Sequence, residues 1–265
     1  SYLCYRNINM VQKRLWTRDE FILTFNLYLK MPFGKMHRGN PQVVELAKLI
    51  GRSANSVALR LVNFASCDPA LKARGIKGMS GGLKLCIPYW EEFANDQEKL
   101  VYESEKILAR YQNIDIEEKY KRLITSIKAR GEDKIREIKT RVNQNVFRQM
   151  ILVNYDNKCA VSGVDIPELL IASHIIPWAE KESERLNPEN GICLSALYDR
   201  AFDQGLISFD NDYKMIVSTR LKNHCSSDYY QHFFKPYIGK PLNEALDYMP
   251  RKEFLEWHRD VLFDR

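Results

Sequence analysis

Four polar residues in the second half of the chain have the types and spacing of a hydrolytic site. His174 lies within an apolar run, Asn190 precedes a glycine and a second apolar run, and Asp199 and Asp203 are four positions apart. A neutral imidazole can accept a proton from water near neutral pH. Carboxylates at positions i and i+4 share one face of a helix, where they can bind one hard cation. Because attack of water on a phosphodiester needs a base and a cation, this pattern predicts phosphodiester hydrolysis.

Each of these residues also has a simpler interpretation. A histidine in an apolar strand is usually a hydrogen-bonded core residue, and Asp203 can brace the turn at Gly205. Two like charges on one helical turn repel each other unless a cation lies between them, which favours the chemical interpretation. Asn190 can hydrogen-bond across the loop between the two apolar runs and hold His174 in place. The sequence therefore predicts His174 and Asn190 as catalytic residues. It predicts Asp199 and Asp203 as metal ligands.

Five motifs in a fixed order extend this pattern between positions 141 and 207. They are R-V-x-Q-x-x-F-R, Y-x-x-x-C-x-x-[ST]-G, [AS]-H-I-x-P-W, N-P-x-N-G-[IL]-x-L and F-D-x-G-L-I. The residues that carry them are Arg141, Gln144, Phe147, Arg148, Tyr155, Cys159, Ser162, Gly163, Ser173, His174, Ile175, Pro177, Trp178, Asn187, Pro188, Asn190, Gly191, Phe202, Asp203, Gly205 and Leu206. Together these motifs resemble those of bacterial HNH endonucleases of the restriction type.

The resemblance implies a ββα-metal fold, in which two strands and a helix surround one divalent ion. His174 then takes the position of the general base, and Asn190 that of the middle asparagine. The third position, commonly histidine in the family, is Asp199 here, and Asp203 matches an acidic position. All-oxygen ligation suits hard ions, so Mg²⁺ or Mn²⁺ is expected and structural zinc is not. Relatives often have aspartate directly before the base, where this chain has Ser173, which leaves open whether a ligand is missing or replaced by water.

The chain before these motifs is predicted to be helical. A capping box at Thr17 and Glu20 begins the first helix. The stretch ELAKLIGRSANSVALRLVNF, at positions 45–64, looks like a helix-turn-helix. Its second helix would present DNA-binding residues to a duplex, namely Arg52, Asn55 and Arg60; a small helical bundle without DNA contact is the alternative. Glycines make residues 66–89 look irregular, and Gly131 is expected to divide the charged helical stretch that follows.

The predicted architecture is α+β in three parts. Residues 1–88 form a helical, helix-turn-helix-like domain, residues 89–140 a solvated helical connector, and residues 141–265 the nuclease domain. Arg141, Gln144 and Arg148 share a helical face at i, i+3 and i+7, with Phe147 turned elsewhere. That face could hold a DNA backbone, or its arginines could instead pair with the domain's own acids.

Bulk composition excludes some classes of protein. The net charge is +6, from 40 basic and 34 acidic residues, which is compatible with a polyanionic partner without requiring one. The six cysteines are scattered with no C-x-x-C pair, so reduced thiols are expected. No apolar run reaches the roughly 18 residues of a membrane span, and the first residues do not resemble a signal peptide. We expect a soluble, cytoplasmic protein with no membrane partner.

These observations predict cleavage of double-stranded DNA in host defence. One module cuts one strand, so a homodimer is the expected way to cut both. Two alternatives remain at this stage. One is a homing, repair or nicking nuclease with the same chemistry. The other is a DNA-binding regulator with a decayed HNH module, which the departures at Ser173 and at Tyr198 and Asp199 keep open.

Overall fold

The computed structural model describes residues 14–77, 80–120 and 132–263. The predictions for the first residues, including Cys4, and for a helix break at Gly131 lie outside the described residues. The fold is mostly helical, with two small antiparallel sheets in the C-terminal half of the described chain. No helix in these ranges is both long and apolar enough to span a membrane.

The N-terminal helices begin at local capping residues. Thr17 and Glu20 form the predicted capping box, Asn40 caps the helix that has Pro41 at its first position, and Ser53 caps the next. Gly51 ends the second helix with a φ of +66°, a conformation that favours glycine. The helices are α1 (Arg18–Leu29), α2 (Pro41–Ile50), α3 (Ala54–Ala65), α4 (Pro69–Ala73), α5 (Ser80–Phe93) and α6 (Gln97–Tyr111).

The prediction of an irregular segment at residues 66–89 is wrong, because α4 and α5 occupy most of it. Helix α5 is stabilised by burial, because its residues Cys86 and Phe93 are fully enclosed by the aromatic core of α1 and α3. Gly82 is needed where α5 meets α3, since a Cβ there would lie 2.2 Å from Asn63 Nδ2. Gly82 therefore permits close helix packing instead of breaking the helix.

Helix α6, which lies in the stretch predicted as a solvated connector, is packed on both sides. Leu100 and Ile107 on α6 belong to the N-terminal core, whereas Val101 belongs to the C-terminal core. After α7 (Ile116–Tyr120), the long helix α8 (Glu132–Asn154) packs against α6 and buries Val142 and Val146. Charges on the outer faces of these helices obscure the buried stripe in the sequence.

The C-terminal half contains two strands followed by a helix, as predicted. Strand β1 (Leu170–His174) pairs antiparallel with β2 (Gly191–Ser195), and α9 (Ala196–Asp203) follows directly. Helix α8 packs across both strands, and a Cβ at Gly191 would lie 2.5 Å from Ile151 Cδ1. The remaining elements are β3 (Ile207–Phe209), β4 (Met215–Val217), α10 (Thr219–Lys222), α11 (Asp228–Phe233) and α12 (Lys252–Val261).

Candidate active site

A cleft between β1 and α9 brings the predicted base and the two predicted metal ligands together. It lies at the end of β1, where the strand reaches the loop that leads to β2. The cleft is lined by Ile171, Ala172, Ser173, His174, Pro177, Trp178, Asp199, Asp203, Gln204, His258 and Leu262. Ser173 and His174 come from strand β1, and Asp199 and Asp203 come from helix α9, so regular secondary structure fixes their backbone positions.

The ring of His174 is fixed on three sides. It stacks on Phe147 with centroids 3.6 Å apart and meets Trp178 edge-on at 5.4 Å. Its Nε2 lies 3.0 Å from the backbone carbonyl of Arg185. Because a carbonyl oxygen only accepts, Nε2 carries the proton and Nδ1 has a free lone pair. Burial lowers the pKa of His174 to about 4, so the ring is neutral at pH 7.

Asn190 fastens the loop around His174. Its side chain is 1% exposed; Oδ1 accepts from the amide of Ile176 at 2.9 Å. Its Nδ2 donates to the carbonyls of Ile176 and Glu184, both at 3.2 Å. Both ends of the long β1–β2 connection are thereby tied to one amide. The loop that carries the Arg185 carbonyl is held next to His174.

Asp199 and Asp203 bring two carboxylates to the cleft from successive turns of α9. The buried hydroxyl of Ser173 donates a hydrogen bond to Asp199. Burial raises the pKa of Asp199, and burial together with the charge of Asp199 raises the pKa of Asp203 to about 6. Two carboxylates that disfavour each other's charge would be stabilised by a shared cation.

The donor set fits one kind of metal better than another. Within the described residues, no group of three or more histidine, cysteine, aspartate or glutamate side chains is arranged to hold an ion. A closed zinc site needs about four such ligands, so zinc does not fit Asp199 and Asp203. Mg²⁺ keeps several of its waters and is often held by one or two carboxylates, which this pair can supply.

Comparison with known families identifies this part of the chain. Residues 159–210, which include β1, β2 and α9, match the family model described as HNH endonuclease. This segment is therefore similar to HNH endonuclease domains. It indicates nuclease activity, and such domains generally use a divalent metal ion. No curated protein matches the chain.

The HNH domain has departures that the structure explains. Tyr198, beside Asp199, is 3% exposed and donates from its hydroxyl to the carbonyl of Phe233 at 2.6 Å. It therefore belongs to the core and leaves Asp199 as the cleft-facing residue. Ser173, the other departure noted in the sequence, donates a hydrogen bond from its hydroxyl to the Asp199 carboxylate.

Two of the predicted DNA-binding arginines are used inside the N-terminal helices. Arg52 pairs with Glu20 at 2.8 Å and donates to two backbone carbonyls before α1. Arg60 is 8% exposed, lies over the rings of Trp16 and Phe21, and donates to Gly82. Asn55 is exposed. These bonds give both guanidinium groups a role in holding the helices together.

The three residues predicted to share a DNA-binding face on α8 also divide into exposed residues and one that is bonded within the fold. Arg141 and Gln144 are exposed, whereas Arg148 donates to the carbonyls of Leu170 at 2.6 Å and Pro167 at 3.0 Å. Arg148 thus anchors the start of β1. Phe147 points away from this exposed face, as expected. Its ring stacks on His174, the predicted base, and this contact was not expected from the sequence.

Sequence reasoning also missed Arg185. Its contribution to His174 is a backbone carbonyl, which leaves no residue-type signal. His258, on α12, is a structural residue, since it is fully buried and stacks on Phe202 with ring centroids 3.7 Å apart.

Proposed function

We propose that this protein is a divalent-metal-dependent endonuclease that hydrolyses phosphodiester bonds of double-stranded DNA. The observation that carries the proposal is the orientation of His174. Its Nε2–H is bound to the Arg185 carbonyl, which leaves Nδ1 as an acceptor in a cleft shared with Asp199 and Asp203. A neutral base beside a pair of hard oxygen ligands suits hydrolysis by an activated water.

In this mechanism Nδ1 of His174 takes a proton from the water that attacks phosphorus. Phe147 and the Arg185 carbonyl prevent the ring from turning as it gains charge. Asn190 keeps the surrounding loop in place, and the Ser173 hydroxyl orients Asp199. A Mg²⁺ or Mn²⁺ ion held by Asp199 and Asp203 would neutralise charge that develops on the phosphate.

The substrate would be bound over a wider surface than the cleft. Arg141 and Gln144 are exposed on α8, the helix that packs against β1 and β2, and are suited to contact the DNA backbone. Asn55 on α3 is the remaining exposed candidate of the helix-turn-helix-like region. One cleft cuts one strand, so we propose a homodimer for cleavage of both strands.

The biological role we propose is restriction of foreign DNA in the cytoplasm. A homing, repair or nicking nuclease would use the same cleft, and a decayed module would retain only DNA binding. The presence of His174, Asn190 and the Ser173–Asp199 bond favours an active enzyme over a decayed one.

Supercoiled plasmid DNA provides the test. Incubation with Mg²⁺ or Mn²⁺ should convert it to a cut form, and EDTA should stop the conversion while leaving the far-ultraviolet circular dichroism unchanged. A linear product with defined ends would support restriction, whereas an open circle alone would indicate nicking. Sequencing the ends from modified and unmodified DNA would identify the target. No conversion with any divalent ion would overturn the proposal.

A further inference from the structure

Arg185 supports the predicted base, His174, through both its backbone and its side chain. Arg185 supplies the carbonyl that binds His174 Nε2 at 3.0 Å. Its own side chain donates from Nε to the carbonyl of Trp178 at 2.9 Å and lies over the Trp178 ring at 5.1 Å. Trp178 in turn touches the His174 ring edge-on. Any shift of the Arg185 side chain therefore affects two of the three contacts that fix His174.

The far side of the same guanidinium faces a carboxylate from α6. Glu98 Oε1 lies 3.7 Å from Arg185 Nη1, and the two side chains are 38% and 19% exposed. Oε1 of Glu98 is itself buried and accepts no hydrogen bond among the described residues, so its contact with Arg185 is ionic. Arg185 also pairs with Glu182 at 3.3 Å, but Glu182 belongs to the same loop and is 83% exposed. Glu98 is thus the acidic partner that comes from outside the loop.

Helix α6 is a firm anchor for this contact. Leu100 and Val101, two and three residues after Glu98, are fully buried, and α6 packs against both α1 and α8. A carboxylate on such a helix has little freedom to follow the loop. The loop, by contrast, has mostly exposed side chains from 181 to 183.

We propose that Arg185 is a positioning residue for the base and that Glu98 on α6 fixes it, so that helix α6 takes part in setting the tautomer and orientation of His174. The link runs from α6 through Glu98 and Arg185 to Nε2 of His174. Helix α6 then contributes to the geometry of the cleft, in addition to any contact that the N-terminal helices make with DNA. The catalytic consequence rests on the function proposed above, whereas the structural consequence does not.

Nitrogen-15 spectra of the full chain, labelled in histidine, test the structural part. The His174 signals are assigned by their loss in His174→Gln. Wild-type protein should show the Nε2–H tautomer. Glu98→Gln keeps the volume of the side chain but removes the charge, and it should shift His174 toward a mixture of the two tautomers. Glu98→Asp, which keeps the charge, should retain more of the wild-type signal than Glu98→Gln does.

Cleavage kinetics test the catalytic part. In Glu98→Gln the kcat should fall about fivefold, with the KM for DNA and the metal requirement unchanged, because only the base is displaced. Arg185→Lys should lower kcat as well, since lysine cannot donate from Nε to Trp178 while lying over its ring. If the protein does not cleave DNA, the tautomer measurement still decides the structural link.

Glu182→Gln is the matched control, because it removes the other carboxylate on the same guanidinium. It should leave both the tautomer and kcat near the wild-type values. A wild-type tautomer and kcat in Glu98→Gln would overturn the proposal. An equal effect of Glu182→Gln would also overturn it, since the loop's own charges would then be responsible rather than α6.

Discussion

His174 depends on its neighbours for its state of protonation. Burial disfavours the charged imidazolium, and the Arg185 carbonyl selects the Nε2–H tautomer. A histidine with a pKa of about 4 is unprotonated through the neutral range, so its Nδ1 is available without a change of pH. The same residue type on an exposed loop would be partly charged near pH 6.5.

Asp199 is the residue on which the metal assignment depends most. Asp199→Asn should raise the concentration of Mg²⁺ or Mn²⁺ needed for half-maximal cleavage, because one anionic ligand is lost. Asp199→His should shift the preference toward Mn²⁺, Co²⁺ or Ni²⁺, since imidazole suits softer ions. Metal titrations of the cleavage rate measure both effects. A wild-type titration curve for Asp199→Asn would mean that Asp199 is not a ligand.

Residue types and spacing were enough to predict which residues lie together in the cleft. They were not enough to predict which arginines face solvent. His174, Asp199 and Asp203 were found because ligands and bases come from few residue types at characteristic spacings. Arg52 and Arg60 were predicted to face DNA because they fall on a predicted helix. Whether an arginine faces solvent or a buried carboxylate depends on tertiary partners, here Glu20 and Trp16, that no local pattern shows.

At the scale of elements, α12 holds α9 from behind through His258. The imidazole Nδ1 lies 2.9 Å from Ser208 Oγ, and Nε2 lies 3.1 Å from the carbonyl of Phe202, next to Asp203. Burial lowers the pKa of His258 from 6.5 to about 4. The folded state therefore requires the neutral ring, whereas the unfolded chain accepts a proton at higher pH.

The free energy of unfolding should consequently fall at acidic pH. The contribution of neutral His258 is complete above about pH 6.5 and is lost as pH falls from there toward 4, by a total of about 3 kcal/mol. Urea unfolding at a series of pH values measures this loss. His258→Gln should reduce it, while His224→Gln, at an exposed position, should not. An unchanged pH dependence in His258→Gln would contradict the assignment.

The close contact between α8 and β2 is possible because Gly191 has no side chain. A Cβ at Gly191 would lie 2.5 Å from Ile151 Cδ1 and 2.6 Å from Phe147 Cζ. Gly191→Ala should therefore lower the free energy of unfolding by about 1–3 kcal/mol through overpacking. It should also disturb Phe147, which supports His174. Gly34→Ala is the control, because no atom lies within 4 Å of the added methyl group. Equal urea midpoints for the two variants would contradict this account of the packing.

Elements with local signals were predictable, and those defined by tertiary packing were not. The capping box of α1, the proline start of α2 and the order β1, β2, α9 all follow from residues close together in sequence. Helix α5 was missed because its glycines suggest a loop, although Gly82 serves a close approach to α3. The packed state of α6 was missed because its exposed charges dominate its composition.

At the scale of the molecule, two hydrophobic cores are joined by specific polar contacts. Asp247, from the C-terminal half, accepts from the amide of Phe33 at 2.7 Å and pairs with Arg74 at 2.9 Å. The hydroxyls of Tyr28 and Tyr248 both donate to Asp68, at 2.6 Å and 3.3 Å. These contacts, together with α6, connect the helical half to the HNH half over a broad area.

Binding of DNA should use both halves. Arg141→Ala should weaken binding about equally for different sequences and reduce the salt slope by about one, as expected for loss of a phosphate contact. Asn55→Ala should weaken binding without changing the metal requirement, because α3 does not line the cleft. Gel-shift titrations over a range of salt concentrations measure both. Unchanged affinity and salt slope for both variants would exclude these positions from the interface.

The most direct measurement is the cleavage of plasmid DNA by His174→Ala beside the wild-type protein, with the affinity for the same DNA determined in Ca²⁺ or EDTA. Loss of a general base should reduce kcat by about 10²–10⁴-fold, with DNA affinity close to that of the wild type, because His174 acts on water rather than holding the duplex. A kcat near the wild-type value would show that His174 is not the base and would contradict the account of the cleft.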